Sequence, residues 1–524
     1  MSSCHVFPKS DKYLLGGIAA VLLLYVGAAA IGGPQQGTEM VAKAAQAGAA
    51  GHEKKQTEQQ PAMTHPPYWM VLPFVLLLAA IAVLPLAPWT THWWDNNLHR
   101  FYVAAGLAAI TLLYYLFVHK GPMEGHWPVS HRIGACPEVV NLPLLWGVTA
   151  NAMLNEYVPF IVLLLTLYTI SGGIRIEGDL PAHPLTNAMF LVVTAVLASL
   201  IGTTGAAMLL IRLLLETNQE RKHVKHTVVF FIFVACNCGG CLLPLGDPPL
   251  FLGYLLGVPF AWTLGLWPEW LFVNGLLIAM YYLWDRLWYY PREEARDLVR
   301  DATQVRRLTF SGLWPNAWLL AGVILTVALL DPGKPVPGTD WHPWLYLREV
   351  VQLVLVALSL VLGQQSVRRA NHFNYGAILE VAALFFGIFL CMQAPLQILN
   401  VRGPSLGLTS PVHFFFASGT LSSVLDNAPT YVVFFETARS LGGGGSDILV
   451  AGVRESLLRG VSLGAVFMGA MTYIGNGPNF MVKSIAEKSG VAMPSFFGYV
   501  VYSCSILLPI LVAMSWLFLR QPAG

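Results

Sequence analysis

The run NCGGCLLPLGDPPLFLGYLLGVPF, residues 237–260, decides how this chain folds. It is apolar enough for a lipid bilayer, yet Gly246, Asp247, Pro248 and Pro249 fall where a spanning helix should be continuous. Proline lacks the N–H that a helix needs, and glycine adopts conformations that other residues avoid. Backbone unwound at membrane depth is tolerated only where protein or a water-filled cavity satisfies its polar groups. The break is therefore expected to aim carbonyls and helix ends at a bound ion. It occurs twice: YIGNGPNF at 473–480 repeats the order Gly, Asp or Asn, any residue, Pro, any residue, Phe.

The composition surrounds these breaks with membrane. Of 524 residues, 56% are hydrophobic and 11% charged, more apolar surface than one soluble core can bury. Apolar segments of crossing length recur at 68–87, 100–118, 151–171, 227–264, 268–288, 314–330, 347–363, 375–399, 461–480 and 495–519. About ten spans are predicted, in an all-α polytopic membrane protein. A net charge of +2 with scattered Lys and Arg excludes a nucleic-acid reading face. Residues 1–33 carry Lys9 and Lys12 ahead of an apolar run and read as a cleaved signal peptide or a retained first span. A polar linker, 34–66, then leads to a transporter domain, 67–519. Cys236, Cys238 and Cys241 invite a metal reading, but no partnered Cys or His pair accompanies them, and buried cysteine packs well as a small hydrophobe.

Internal repetition gives the organisation. LIGTTGAAMLLIRLLLE (200–216) precedes the first break and ASGTLSSVLDNAPTYVVFFE (417–436) the second, and both carry Gly-Thr, at 202–203 and 419–420. Each reads as a helical hairpin that enters and leaves by one face, with repeat 1 at about 151–288 and repeat 2 at about 375–519. Five spans between the hairpins place them on opposite faces, the inverted repeat of a secondary transporter. The basic loops 212–226, 289–312 and 364–374 then share a side, which the positive-inside rule makes cytoplasmic. The expected location is the cell inner membrane, with the C-terminus outside. Trp93-Trp94 and the stretch from Trp284 to Tyr290 read as interfacial belts.

Ionisable groups at membrane depth are costly and so read as functional. Asp247 and Asp426 are the candidate sodium ligands, with Asn237, Asn427, Asn476 and the hairpin-tip residues Thr203, Thr204, Ser422 and Ser423 as further oxygen donors. A carboxylate that can hold either a proton or sodium suffices for antiport. Either aspartate could instead cap a broken backbone, and Asn476 in the twin position suggests that a cap needs no charge. Glu156 and Glu380 are as well suited to pairing with a structural arginine as to relaying protons, and Arg212 and Lys483 read as snorkelling anchors.

At GTTGAAMLLIR, NCGGCLLPLGDPPLFLGYLLGVPF, LSSVLDNAPT and YIGNGPNFMVKSIAEKSGVAMPSFFGY, the chain resembles the NhaD-type sodium/proton antiporters and the related citrate transporters of the ion transporter superfamily. The resemblance covers about residues 67 to 519. It implies an elevator-type transporter, usually a homodimer, with a scaffold domain and a mobile transport domain. It also implies ion sites at Thr203, Thr204, Gly205, Asp247, Ser422, Ser423, Asp426, Asn427 and Asn476. The dicarboxylate carriers of that superfamily carry Ser-Asn-Thr at both tips, where this chain has Thr-Thr-Gly and Leu-Asp-Asn. Two aspartates repel an anion unless cations neutralise them. The expected function is therefore sodium/proton antiport, without a cofactor and without enzymatic activity; the alternative is sodium-coupled citrate or dicarboxylate transport. An intramembrane aspartyl protease is disfavoured because Pro244 stands where its motif needs glycine.

Overall fold

The computed structural model describes residues 9–50, 65–85, 89–134, 140–303, 305–442 and 448–520. Residues 1–8 of the expected signal peptide or first span, and 51–64 of the expected linker, lie outside them. Helix dominates, as it must where lipid offers the backbone no hydrogen-bond partners. The described strands form three short antiparallel pairs: Met123–Gly125 with His131–Ile133, Arg175–Asp179 with Arg306–Ser311, and Leu449–Val450 with Val453–Arg454. Among the described residues six helices are long and apolar enough to cross a membrane, or seven if the bent pair Gly376–Cys391 and Gln393–Leu406 counts as one span. Four of the ten expected spans are among the six; 225–255 and 455–488 are broken, Gly376–Cys391 belongs to the bent pair, and Tyr68–Val83, Leu313–Leu329 and Leu347–Leu362 are shorter helices. The span expected at 151–171 begins earlier, at Leu142, and passes through a π-helical stretch, Ala150–Tyr157.

The chain forms two compact units, residues 1–173 with 312–401, and 174–311 with 402–524. These cut across the two expected repeats. Gly376–Cys391, expected to open repeat 2, packs in the first unit against Asn97–Phe117. There Gly387 lies so close to Ala104 that a Cβ would sit 2.7 Å from its carbonyl oxygen. Arg100 pairs with Glu380 at 2.9 Å, which gives that glutamate a structural partner. In the same unit Lys9–Ala30 buries Ile18 against Leu353, Val356 and Leu360.

The second unit holds both hairpins and both broken helices. Its central helix, Lys225–Ala235, is buried at every position from His226 onward, as expected of a helix apolar on all sides. The first hairpin runs Pro184–Ile201, a turn at Gly202, then Thr203–Thr217. Its base is closed by Asn187 and Asn218, whose amides exchange hydrogen bonds of 2.8 Å. Pro184–Ile201 is itself apolar enough to cross a membrane but serves as a hairpin arm. The hairpin therefore spans 184–217 rather than 200–216. The second hairpin runs Pro411–Ser422, then Asn427–Ser440.

The two Gly-Thr pairs are not structural equivalents. Gly202 makes the turn with φ +84°, a conformation that favours glycine. Gly419 is inside a helix, and a Cβ there would meet Met468 Sδ at 2.2 Å. Its smallness serves packing, and the second tip lies further on, at Ser423–Asp426.

The broken helices are Lys225–Ala235 with Pro248–Leu255, and Glu455–Phe467 with Gly477–Lys488. Each break holds a 3-10 turn, Cys238–Cys241 or Met468–Met471. Lys225–Ala235 packs beside Gly477–Lys488, and Pro248–Leu255 beside Glu455–Phe467. The first half of each lies by the second half of the other, so the two run antiparallel. Each hairpin's second arm packs on the opposite repeat, Thr203–Thr217 on Gly477–Lys488 and Asn427–Ser440 on Pro248–Leu255.

Candidate cation-binding site

Asp247 is 1% exposed and stands at the start of Pro248–Leu255, where an aspartate would ordinarily cap the helix. Its side chain makes no cap bond. Oδ1 instead accepts from Thr203 Oγ1 at 3.0 Å and Asn476 Nδ2 at 3.1 Å, and Oδ2 from Asn427 Nδ2 at 2.6 Å. These donors come from the first hairpin tip, the second break and the start of the second hairpin's return arm. Four helix N-termini, at Thr203, Asp247, Asn427 and Asn476, thus converge on one carboxylate.

The amides extend inward from there. Asn476 Nδ2 also reaches Cys236 O at 2.9 Å and Asn237 Oδ1 at 3.3 Å. Asn237 donates to Asn479 Oδ1 at 2.8 Å, and Asn479 donates to Gly469 O and Thr472 O, each at 2.9 Å. One polar chain therefore links the carboxylate of the first break to the backbone of the second. Every one of these asparagines is buried, where an unpaired amide costs about 1–3 kcal/mol. The Asn427 carbonyl oxygen is nevertheless buried without a hydrogen-bond partner.

The other residues named from sequence fall at differing places. Asp426 caps Asn427–Ser440, its Oδ1 accepting from Ala428 N at 3.2 Å, and it immediately precedes Asn427, which donates to Asp247. Ser422 Oγ donates to Ala465 O at 2.6 Å, tying the hairpin to Glu455–Phe467, and Ser423 Oγ to Thr420 O at 2.7 Å, within the hairpin; neither hydroxyl bonds to Asp247. Thr204 and Gly205 lie in the helix after the first tip and are not hydrogen-bond partners of Asp247. Among the described residues no three His, Cys, Asp or Glu side chains gather as a metal site, and Cys236, Cys238 and Cys241 are buried free thiols.

Three participants escape the sequence reading: Asn479, Thr472 and Ser199. Ser199 Oγ donates to Gly239 O at 2.6 Å and accepts from Leu242 N at 3.1 Å. Thr472 donates to Ser423 O and accepts from Ile474 N and Gly475 N. Only Asn479 had a signal. Its counterpart in the first motif is Leu250, and an amide replacing an aliphatic side chain within a repeated apolar motif marks a polar contact.

Paired hairpins and antiparallel broken helices that meet at a buried polar cluster define a polytopic secondary transporter. Residues 127–519 match the family described as "Putative citrate transport", and the chain belongs to it. No curated protein matches the chain.

Proposed function

We propose that this transporter exchanges sodium for protons, with Asp247 as the group that holds either ion. The observation that carries the reading is the buried, unpartnered Asn427 Oδ1, on the residue whose amide nitrogen grips Asp247. An ionised carboxylate offers about four acceptor sites, and three donors leave room for one hard cation. All the hydrogen-bond partners of Asp247 are neutral, so no lysine or arginine already neutralises it. Asp426 contributes negative charge to the same region. On this reading the protein works as a homodimer in the cell inner membrane, with its C-terminus outside, moving the ion by alternating access.

Sodium-coupled citrate or dicarboxylate transport is the second reading. Four converging helix N-termini, each equivalent to up to about half a positive charge, suit a bound carboxylate once sodium offsets Asp247 and Asp426. The family description points the same way. The purified protein in proteoliposomes with an internal pH dye separates the two. Sodium or lithium alone moving protons, abolished by Asp247→Asn, supports antiport. Citrate uptake that needs sodium, with no proton movement by sodium alone, would replace it with symport.

A further inference from the structure

The helix that follows each broken helix carries two polar side chains one turn apart that reach back to the break. In Trp267–Trp284 they are Trp270 and Asn274; in the helix that starts at Phe496 they are Tyr499 and Ser503. Trp270 Nε1 donates to Gly239 O at 2.9 Å and Asn274 Nδ2 to Cys238 O at 3.0 Å. Tyr499 Oη donates to Ala470 O at 2.9 Å and Ser503 Oγ to Met471 O at 2.6 Å. All four bonds end on carbonyls of the 3-10 turns that precede Asp247 and Asn476.

The two pairs are repeat-related. Trp270 and Tyr499 are 229 positions apart, as are Asn274 and Ser503, and so are Gly246 and Gly475, and Asp247 and Asn476. Indole, amide, phenol and hydroxyl share no shape. What the four have in common is a donor aimed at a carbonyl of a 3-10 turn. The site amides hold the adjoining backbone, Asn476 at Cys236 O, two residues before the first turn, and Asn479 at Gly469 O, within the second. The second turn is thus gripped both by the polar cluster and by the following helix, and the first by the following helix and, just before it, by the cluster.

We propose that Trp270, Asn274, Tyr499 and Ser503 are positioning residues for the ion site: they fix the two turns so that Asp247 and Asn476 keep their aim across the breaks. This rests on the cation reading above, and it assigns the affinity for the ion partly to residues that do not touch it. The carbonyl grip costs nothing at the moment of binding because it is made in advance, the logic of a supported, preorganised site.

The test uses the full chain in proteoliposomes, with sodium-driven proton flux and maleimide labelling of the native thiols read by mass spectrometry. Cys236, Cys238 and Cys241 are buried in the first break, and the rate at which the same thiols label in denatured protein is the reference. Trp270→Phe and Asn274→Ala should each raise the half-saturating sodium concentration about fivefold, the worth of one hydrogen bond, with the maximal rate within about twofold. The same variants should label the break thiols about tenfold faster, as local opening becomes easier, with the rate in denatured protein unchanged. Tyr499→Phe and Ser503→Ala should raise the half-saturating concentration without altering those thiols. Unchanged half-saturation in all four, or loss of maximal rate and thermal stability together at constant half-saturation, would overturn the proposal and leave the four as packing struts. A wild-type protein indifferent to every cation would remove the transport reading, and the labelling rates alone would then decide the grip on the turns.

Discussion

Asp247 and Asn476 occupy the same place in the two breaks, with backbone angles of −141°, 142° and −152°, 138°, and the asparagine amide donates to the aspartate across 3.1 Å. Neither side chain caps the helix it precedes. The repeat has therefore used one position twice, once for a charge and once for the donor that holds it.

Replacing Asp247 by Asn keeps the shape and removes the charge. Thr203, Asn427 and Asn476 all donate to this side chain, and an amide offers one nitrogen that cannot accept. At least one donor is orphaned, at a cost of about 1–3 kcal/mol. Ion-coupled flux in proteoliposomes should fall by at least about tenfold, because a site built around a charge loses it.

Asp426→Asn should behave differently. Asparagine caps as well as aspartate, so the helix from Asn427 should keep its stability, and flux should stay within about threefold of wild type if the charge acts only at a distance. Asp426→Ala removes the cap and should cost about 1 kcal/mol in thermal unfolding in detergent. Loss of all flux in Asp426→Asn would show that this carboxylate binds the ion directly.

Asn427→Ala removes both the short bond to Asp247 Oδ2 and the unpartnered oxygen. The half-saturating sodium concentration should rise about tenfold, since bonds to a charged group are worth about 1.5–3 kcal/mol. A variant with wild-type sodium dependence would remove Asn427 from the site.

Backbone proximity makes the break glycines irreplaceable. A Cβ on Gly246 would lie 2.1 Å from Gly240 O, and one on Gly475 would lie 2.5 Å from Gly469 O and 2.7 Å from Ser422 O. Gly246→Ala and Gly475→Ala should each lower the unfolding temperature sharply, by the several kcal/mol that backbone displacement costs. Gly477→Ala, with nothing within 4 Å, should be neutral within about 0.5 kcal/mol.

Arg221 reads in the sequence as one more loop cation. In the fold it is 6% exposed and bonds to both oxygens of Asp285, at 2.9 and 2.6 Å, with Glu293 at 3.4 Å and His226 sharing Asp285 at 3.0 Å. Arg221→Ala leaves the buried Asp285 without its cation, which costs about 3–5 kcal/mol, while Glu293 keeps its bonds from the Lys222 and His223 backbone. Arg221→Lys should restore less than half of the lost unfolding temperature, because an ammonium cannot reproduce the two-pronged contact.

Hydrophobicity and interruption were legible because both are local. A long apolar run declares a membrane, and Gly-Asp-Pro-Pro or Gly-Asn-Gly-Pro within it declares a break whatever surrounds it. The pattern around Gly246 and Gly475 also identifies the repeat and places Asp247 at a break. Hairpin limits were less legible. The Gly-Thr pairs look alike in sequence, but Gly202 turns the chain and Gly419 only makes room for Met468. Backbone conformation is not written in residue type alone.

By itself, then, the sequence determined a helical membrane protein with two related broken helices and a buried aspartate in the first. Tertiary structure decided which groups meet that aspartate. Its partners lie 44, 180 and 229 residues away, and spacing along the chain carries no information about contacts made by separate hairpins folding onto one another. The same holds for Trp270, Asn274, Tyr499 and Ser503, whose roles depend on where the carbonyls of the two 3-10 turns happen to point. A composition can require that buried polar groups be satisfied; only the packed fold names the residue that satisfies each one.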